Sequence, residues 1–174
     1  RYGLDNWAEL HQHTPIDTIR YQLKTMSRQY GRYTKNKTAM KNNLISLLDQ
    51  TYPGANTFFS SPAREDGSQK WVDFVMSFWH VDQVRGVSQT AFVERYRKWC
   101  KRHGYQFRAE RATAIYAQSK NLIAMLPKDA LPKMLIHQAV DQLNAASKAV
   151  ELLRSEMNRL AAQLPEYPVV MAMY

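Results

Sequence analysis

IRYQLKTMSRQYGRYTKNKTAMKNNLISL, residues 19–47, decides how this chain folds. Apolar or aromatic residues recur at Ile19, Leu23, Met26, Tyr30, Tyr33, Met40, Leu44 and Leu47, and Lys37 fills the one polar gap. The steps alternate between four and three, which averages to the 3.5-residue period of a coiled coil. Upstream, Thr14-Pro15-Ile16-Asp17 has the chemistry of a helix start. Thr14 offers a capping hydroxyl, Pro15 suits the first turn, and Asp17 faces the positive end of the helix dipole. Downstream, Tyr52-Pro53-Gly54 ends the pattern. A long basic helix over 15–52 is predicted, its seam alone spanning roughly 42 Å at ~1.5 Å per residue. Gly31 weakens such a helix by ~1 kcal/mol relative to Ala, and together with Lys37 it allows a bend near residues 31–37.

A second seam follows near the other end. Ile136, Ala139, Leu143, Ala146, Val150, Leu153, Met157, Leu160 and Leu164 step by three and four until Pro165. This predicts a return helix over 133–164. Two helices of matched length and period predict an all-α fold: a long antiparallel coiled-coil pair with a small helical insert, residues 53–132, at its tip. Packing of each helix in an ordinary bundle, or across a dimer, is the alternative.

The insert also reads as helical. Trp71, Phe74, Val75 and Phe78 mark one helix face. Ser88 is a plausible N-cap for a helix carrying Phe92, Val93, Tyr96 and Trp99, which Gly104 would end. A third helix would carry Ala112, Ile115, Leu122, Ile123 and Leu126 up to Pro127. Ser60-Ser61-Pro62 and Asp66-Gly67-Ser68 have the chemistry of loops.

Length and composition agree with this architecture. The chain has 174 residues, 45% of them hydrophobic, enough for one or two small domains with a real core. No apolar run approaches the ~18 residues of a membrane span, so no membrane partner is expected. A single cysteine excludes an internal disulfide and a multi-cysteine metal site, and fits a reducing, cytoplasmic setting. The chain opens at Arg1 and closes inside an apolar run at Val169-Val170-Met171-Ala172-Met173-Tyr174, which reads as a piece of a longer protein.

The net charge of +9 is not spread evenly. Between Asp17 and Leu48 stand seven basic residues, Arg20, Lys24, Arg28, Arg32, Lys35, Lys37 and Lys41, against one acid. The first four are spaced at i+4, so they repel by roughly 0.2–0.5 kcal/mol per pair. A polyanion would relieve that repulsion, and a phosphate backbone is the natural one. A second basic run includes Arg95, Lys98, Lys101 and Arg102, interleaved with Tyr96, Trp99, Tyr105 and Phe107. Exposed rings beside cations suit folded RNA or single strands, whose bases stack. For each run the competing reading is a solvated cationic face with its rings buried.

No catalytic constellation emerges. The acids are scattered, and the one adjacent pair, Glu65-Asp66, sits beside Gly67 as turn chemistry. His11 and His13 lack a partner ligand at metal-binding spacing. Cys100 stands among Lys98, Lys101 and Arg102, which would lower its pKa, but no base is evident. No metal or cofactor is expected for this chain.

The stretch YTKNKTAMKNNLISLLDQTYPG, residues 33–54, resembles the central segment of a bacterial insertion-sequence transposase family. In that family a basic helix with an R-x-x-L-K-N-x-L-x-x-L-L-like pattern runs into an aromatic-Pro-Gly turn. The family includes the bridge-RNA-guided recombinases and resembles the Piv DNA invertase. Its members carry an N-terminal DEDD (RuvC-like) nuclease domain, a central coiled coil and a C-terminal domain with a catalytic serine. Arg1-Tyr2-Gly3-Leu4 is similar to the tail of that nuclease domain, and Leu164 to Met171 to the approach to the serine domain. The resemblance implies that residues 1–14 end the nuclease domain and that 165–174 begin the following one.

It implies that the chain between them is a non-catalytic dimerisation and nucleic-acid-binding domain of a DNA transposase or recombinase. The implied partners are DNA, guide RNA and a second copy of the chain, in the bacterial cytoplasm at the nucleoid. Mg²⁺ would belong to the parent's nuclease domain. No nuclease acid and no catalytic serine is carried over, and Asp5 lacks the motif around it. The residues that would contact nucleic acid are Arg20, Lys24, Arg28, Arg32, Lys35, Lys41, Arg95, Lys98, Lys101 and Arg102. The seam that would support the dimer is Ile19, Leu23, Met26, Met40, Leu44, Leu47, Leu143, Val150, Leu153, Met157 and Leu160. A protein-interaction rod without nucleic-acid binding is the alternative function. A free-standing helical regulator is a third, disfavoured because no clear helix-turn-helix is present.

Overall fold

A computed structural model describes residues 15–165 of the chain. Thr14, His11, His13, Asp5 and the stretch beyond Pro165 lie outside the described residues. Six α-helices and one 3₁₀ turn (Ala55–Thr57) follow one another, with no strand among the described residues. The helices are α1 (Pro15–Thr51), α2 (Lys70–Ser77), α3 (Asp82–Arg85), α4 (Gln89–His103), α5 (Ala109–Ser119) and α6 (Ala130–Ala161). The fold is all-α. No helix among the described residues is long and apolar enough to cross a membrane.

The long helices α1 and α6 pack on each other along much of their length. Leu23 shares a small core with Met157, Ala161 and Leu164, with Ile16, Ile19, Met26, Tyr30, Leu153 and Leu160 partly buried around it. Leu44 and Leu48 share a larger core with Ile136, Ala139, Val140 and Leu143. The start of α1 therefore meets the end of α6, and the end of α1 meets the start of α6.

Between the two cores the packing thins. Residues 31–36 are exposed and Lys37 is half-buried, yet α1 runs unbroken through Gly31. Tyr33, placed in the seam by its spacing, is 41% exposed. Past this gap the buried positions are Leu44, Leu48 and Thr51, while Leu47 is only half-buried. A straight helix of 3.6 residues per turn drifts by roughly 20° per heptad from a strict 3.5-residue repeat, so by the end of α1 the buried position has moved from Leu47 to Leu48. Helix α6 begins three residues before its predicted start, because Pro132 in the first turn removes only an N–H that has no helical partner there.

Residues 53–132 share the larger core with the helix ends. Phe74 is its centre, with ring centroids 4.8–6.2 Å from those of Tyr52, Phe58, Phe59, Phe78 and Trp99. Ser88 caps α4 by accepting a hydrogen bond from the Ala91 N–H at 3.2 Å, and Gly104 closes it in the left-handed region (φ 72°). Helix α5 stops at Ser119 instead of running to Leu126. The last turn of α1 explains why. Its orphan carbonyls need donors: Gln50 O accepts from the N–H groups of both Met125 and Leu126 at 2.9 Å, and Thr51 O accepts from Val81 N–H at 3.1 Å. Residues 120–127 thus form a strap across the end of α1. His80 Nδ1 accepts from Asp82 N–H, so Nε2 carries the proton and donates to Leu126 O at 2.8 Å.

One loop of the insert reaches back along α6. Asp66 Oδ1 accepts from Ser68 N–H at 2.9 Å, which folds a tight turn and holds the Asp66 carboxyl below its usual pKa range. Gly67 (φ +85°) rests on α6, where a Cβ would stand 3.0 Å from Ser147 O and 3.2 Å from Glu151 Cγ. Small residues on both sides, Gly67 and Ser147, allow this approach.

Candidate nucleic-acid interface

Arg20, Lys24, Arg28, Arg32, Lys35 and Lys41 are all exposed on α1. The first four advance ~6 Å per step along the helix and turn gradually around it. Asp17 lies 3.6 Å from Arg20. No carboxylate pairs with Lys24, Arg28 or Arg32 among the described residues. Helix α6 is built differently: Arg154 pairs with Glu151 at 3.9 Å and Arg159 with Glu156 at 2.8 Å. Helix α6 thus pairs both of its arginines with glutamates, whereas Lys24, Arg28 and Arg32 of α1 have no such partner among the described residues.

On α4, Arg95, Lys98 and Arg102 line a shallow depression of about 260 Å³ with Ser77, Phe78, Gln83 and Trp99. The Trp99 indole N–H is buried without a hydrogen-bond partner. Lys101 is exposed but takes no part in this depression. Arg97 is paired with Glu94 at 3.8 Å and covers the Phe107 ring at 5.0 Å.

The rings among these cations are core. Tyr96 and Trp99 are buried, and Tyr105 and Phe107 are half-buried. Trp99 stacks on both Tyr96 and Tyr105, with centroids 5.7 and 5.3 Å away. The periodicity of α4 turns its aromatic face inward, because those rings supply the burial that a small domain needs. Stacking of bases on exposed rings is therefore not available at Tyr96 or Trp99. Cys100 is likewise buried, and burial pushes its thiol above the ordinary range. The cation that opposes this shift is Lys70, not its sequence neighbours.

A second concavity brings together residues that sequence reading did not select. A cleft of about 500 Å³ is lined by Arg64, Lys70, Arg108 and Arg111, over a floor that includes Phe59, Tyr96 and Tyr105. Arg64 donates to His103 O at 2.6 Å and lies 4.2 Å from the Tyr105 ring centre. Lys70 Nζ sits 4.6 Å from the Phe59 ring centre. Arg64 and Lys70 come from the loop before α2 and its first residue, and Arg108 and Arg111 from the start of α5. No local spacing relates the two pairs. Tertiary packing alone brings them together.

No group of three or more metal-ligating side chains occurs among the described residues. No protein-family model, no curated protein and no solved structure matches this chain.

Proposed function

We propose that this chain is a non-catalytic nucleic-acid-binding and assembly domain, the middle portion of a DNA transposase or recombinase. In this reading α1 and α6 form an antiparallel coiled coil, and the exposed face of α1 follows a phosphate backbone. The observation that carries it is the contrast between the two helices. Lys24, Arg28 and Arg32 stand at i+4 without a carboxylate partner, whereas α6 pairs its arginines with glutamates. Like charges in such a row destabilise the free helix and are relieved by a polyanion.

The depression at Arg95, Lys98 and Arg102 supports the same reading, since three cations line it together. Catalysis belongs to other parts of the parent protein. The assembly partner is a second copy of the chain. Leu44, Leu143, Val150 and Met157 are consumed by packing within one chain, so the surface we assign to the dimer is the groove at Tyr21, Met26 and Leu160. Tyr21 is 74% exposed there.

The test is binding of labelled single-stranded and hairpin DNA and RNA to the purified chain across a salt series. Affinity that falls steeply with salt supports the reading, because phosphate neutralisation releases counterions. Absence of binding at low salt would leave the alternative, a protein-interaction rod with a solvated cationic face.

A further inference from the structure

The cleft at the corner between α4 and α5 is the most positively charged concavity described above, and nothing in the α1 reading requires it. Its walls carry four cations and no carboxylate. None of the four makes an ion pair with a carboxylate among the described residues. Two acids of the surrounding elements are engaged elsewhere: Asp66 accepts from Ser68 N–H, and Asp73 accepts from the Tyr105 hydroxyl; Glu110, in the first turn of α5, does not line the cleft. One further feature favours an anion there. Helix α5 starts at the cleft with Arg108 as its cap residue and no side-chain acceptor for its first N–H groups. Its positive dipole end therefore adds to the four side-chain charges.

We propose that this cleft holds a phosphate group of a nucleic-acid strand, gripped by Arg108 and Arg111 from one side and by Lys70 and Arg64 from the other. The proposal rests on the nucleic-acid reading above, but it uses different residues. Guanidinium groups bind phosphate oxygens through paired hydrogen bonds, and an ammonium adds a point charge. Lys70 is half-buried, and burial together with Arg111 and Arg108 pulls its ammonium below the ordinary lysine range. A bound phosphate would remove that penalty. The rings of the floor do not serve as a base platform, since Tyr105 is already stacked on Trp99 and covered by Arg64. The site accordingly selects for phosphate and not for a particular base.

The test compares three forms of the chain: wild type, the double variant Arg108→Gln/Arg111→Gln, and a row variant with Arg20, Lys24, Arg28 and Arg32 all changed to Gln. Each is titrated with a fluorescein-labelled single strand, with and without pyrophosphate at matched ionic strength, after circular dichroism confirms helicity. Both arginines of the double variant are exposed, so the fold is retained. The expected result is at least about tenfold weaker strand binding by the double variant, the scale of one or two lost charge-assisted hydrogen bonds. Pyrophosphate should weaken strand binding in wild type and in the row variant, and have no effect in the double variant. Equal strand binding by wild type and double variant overturns the proposal. If calorimetry then still shows pyrophosphate bound by wild type and not by the double variant, the cleft takes a free phosphate and the nucleic-acid source is wrong. A row variant that binds the strand like wild type, beside a weakened double variant, supports the cleft while removing the α1 reading.

Discussion

Arg154 of α6 donates from Nη2 to the hydroxyl of Tyr30 on α1 at 2.7 Å, across 124 residues of chain. Its guanidinium also lies 5.8 Å from the centre of the Tyr30 ring. The contact fixes the level at which the helices face one another and marks the edge of the smaller core. It is exposed, so its energetic weight is small. Arg154→Ala should cost below about 1 kcal/mol in urea unfolding, whereas Leu23→Ala, in the core beside it, should cost about 2–3 kcal/mol. Equal costs for the two would mean that the smaller core is not what joins these ends.

The unequal cores set an order of local opening. Leu23, Met157, Ala161 and Leu164 are the buried members of the smaller cluster, while the larger one gathers the aromatic centre around Phe74. Opening free energy follows local burial. Amides at residues 19–30 and 150–160 should exchange measurably faster than those around Leu44 and Leu143. Uniform protection along α1 would contradict two separate cores.

Gly67 is where the loop before α2 rests on α6. Replacement by Ala demands a left-handed conformation, at roughly 1–2 kcal/mol, and sets a methyl 3.0 Å from Ser147 O. Gly67→Ala should lower stability by about 2 kcal/mol and increase proteolysis between residues 60 and 69. An unchanged unfolding midpoint would show that the loop does not dock.

Alkaline pH should unfold the chain. Ser119 has one hydroxyl proton, given to Ile115 O, so Tyr52 must donate to Ser119. Burial raises the phenols of Tyr52, Tyr96 and Tyr105 well above their ordinary value of 10.0. With native values raised, the unfolded chain loses protons first as pH rises past about 10. Native stability is full below that point and declines above it. Lys70, shifted downward, acts in the opposite sense, but it is one group against three phenols. Tyrosinate absorbance and loss of helicity should rise together above about pH 10. Free titration of all tyrosines in a still-folded chain would contradict the burial of these hydroxyls.

Much of this architecture is legible in local pattern. Ser88 and Gly104 bracket α4 through cap chemistry that needs no tertiary context, and Pro15 opens α1, whereas α6 ends at Ala161, ahead of the predicted stop at Pro165. What escaped depends on distant partners. Leu122, Ile123 and Leu126 fit the period of a helix, but the N–H groups near them bond to Gln50 O at the end of α1. Pattern alone does not say which carbonyls elsewhere lack donors. Tyr96 and Trp99 read equally well as exposed platforms or as core, and burial decided for core. Arg64, Lys70, Arg108 and Arg111 carry no shared spacing, so their cleft exists only once the corner between α4 and α5 has packed against the loop before α2.

The same burial changes how the dimer is tested. Leu44 is fully buried within one chain, so Leu44→Asp reports on folding, with a cost of several kcal/mol. The surface to alter is Tyr21, 74% exposed beside Met26 and Leu160. Tyr21→Glu should leave thermal stability within about 0.5 kcal/mol and shift sedimentation toward monomer. A monomer for wild type at high concentration, or an unaltered dimer for the variant, would exclude this groove as the interface.

The function proposed for α1 is that its basic row contacts phosphates, and the salt dependence of binding reads this out. The dissociation constant for a labelled duplex is measured from low to moderate salt for wild type and for the variant with Arg20, Lys24, Arg28 and Arg32 changed to Gln. Losing four phosphate contacts should flatten the slope of log K against log salt by roughly 3 to 4 units. An unchanged slope and affinity, in a variant that remains helical, would contradict the account and leave the row as a solvated face of an interaction rod.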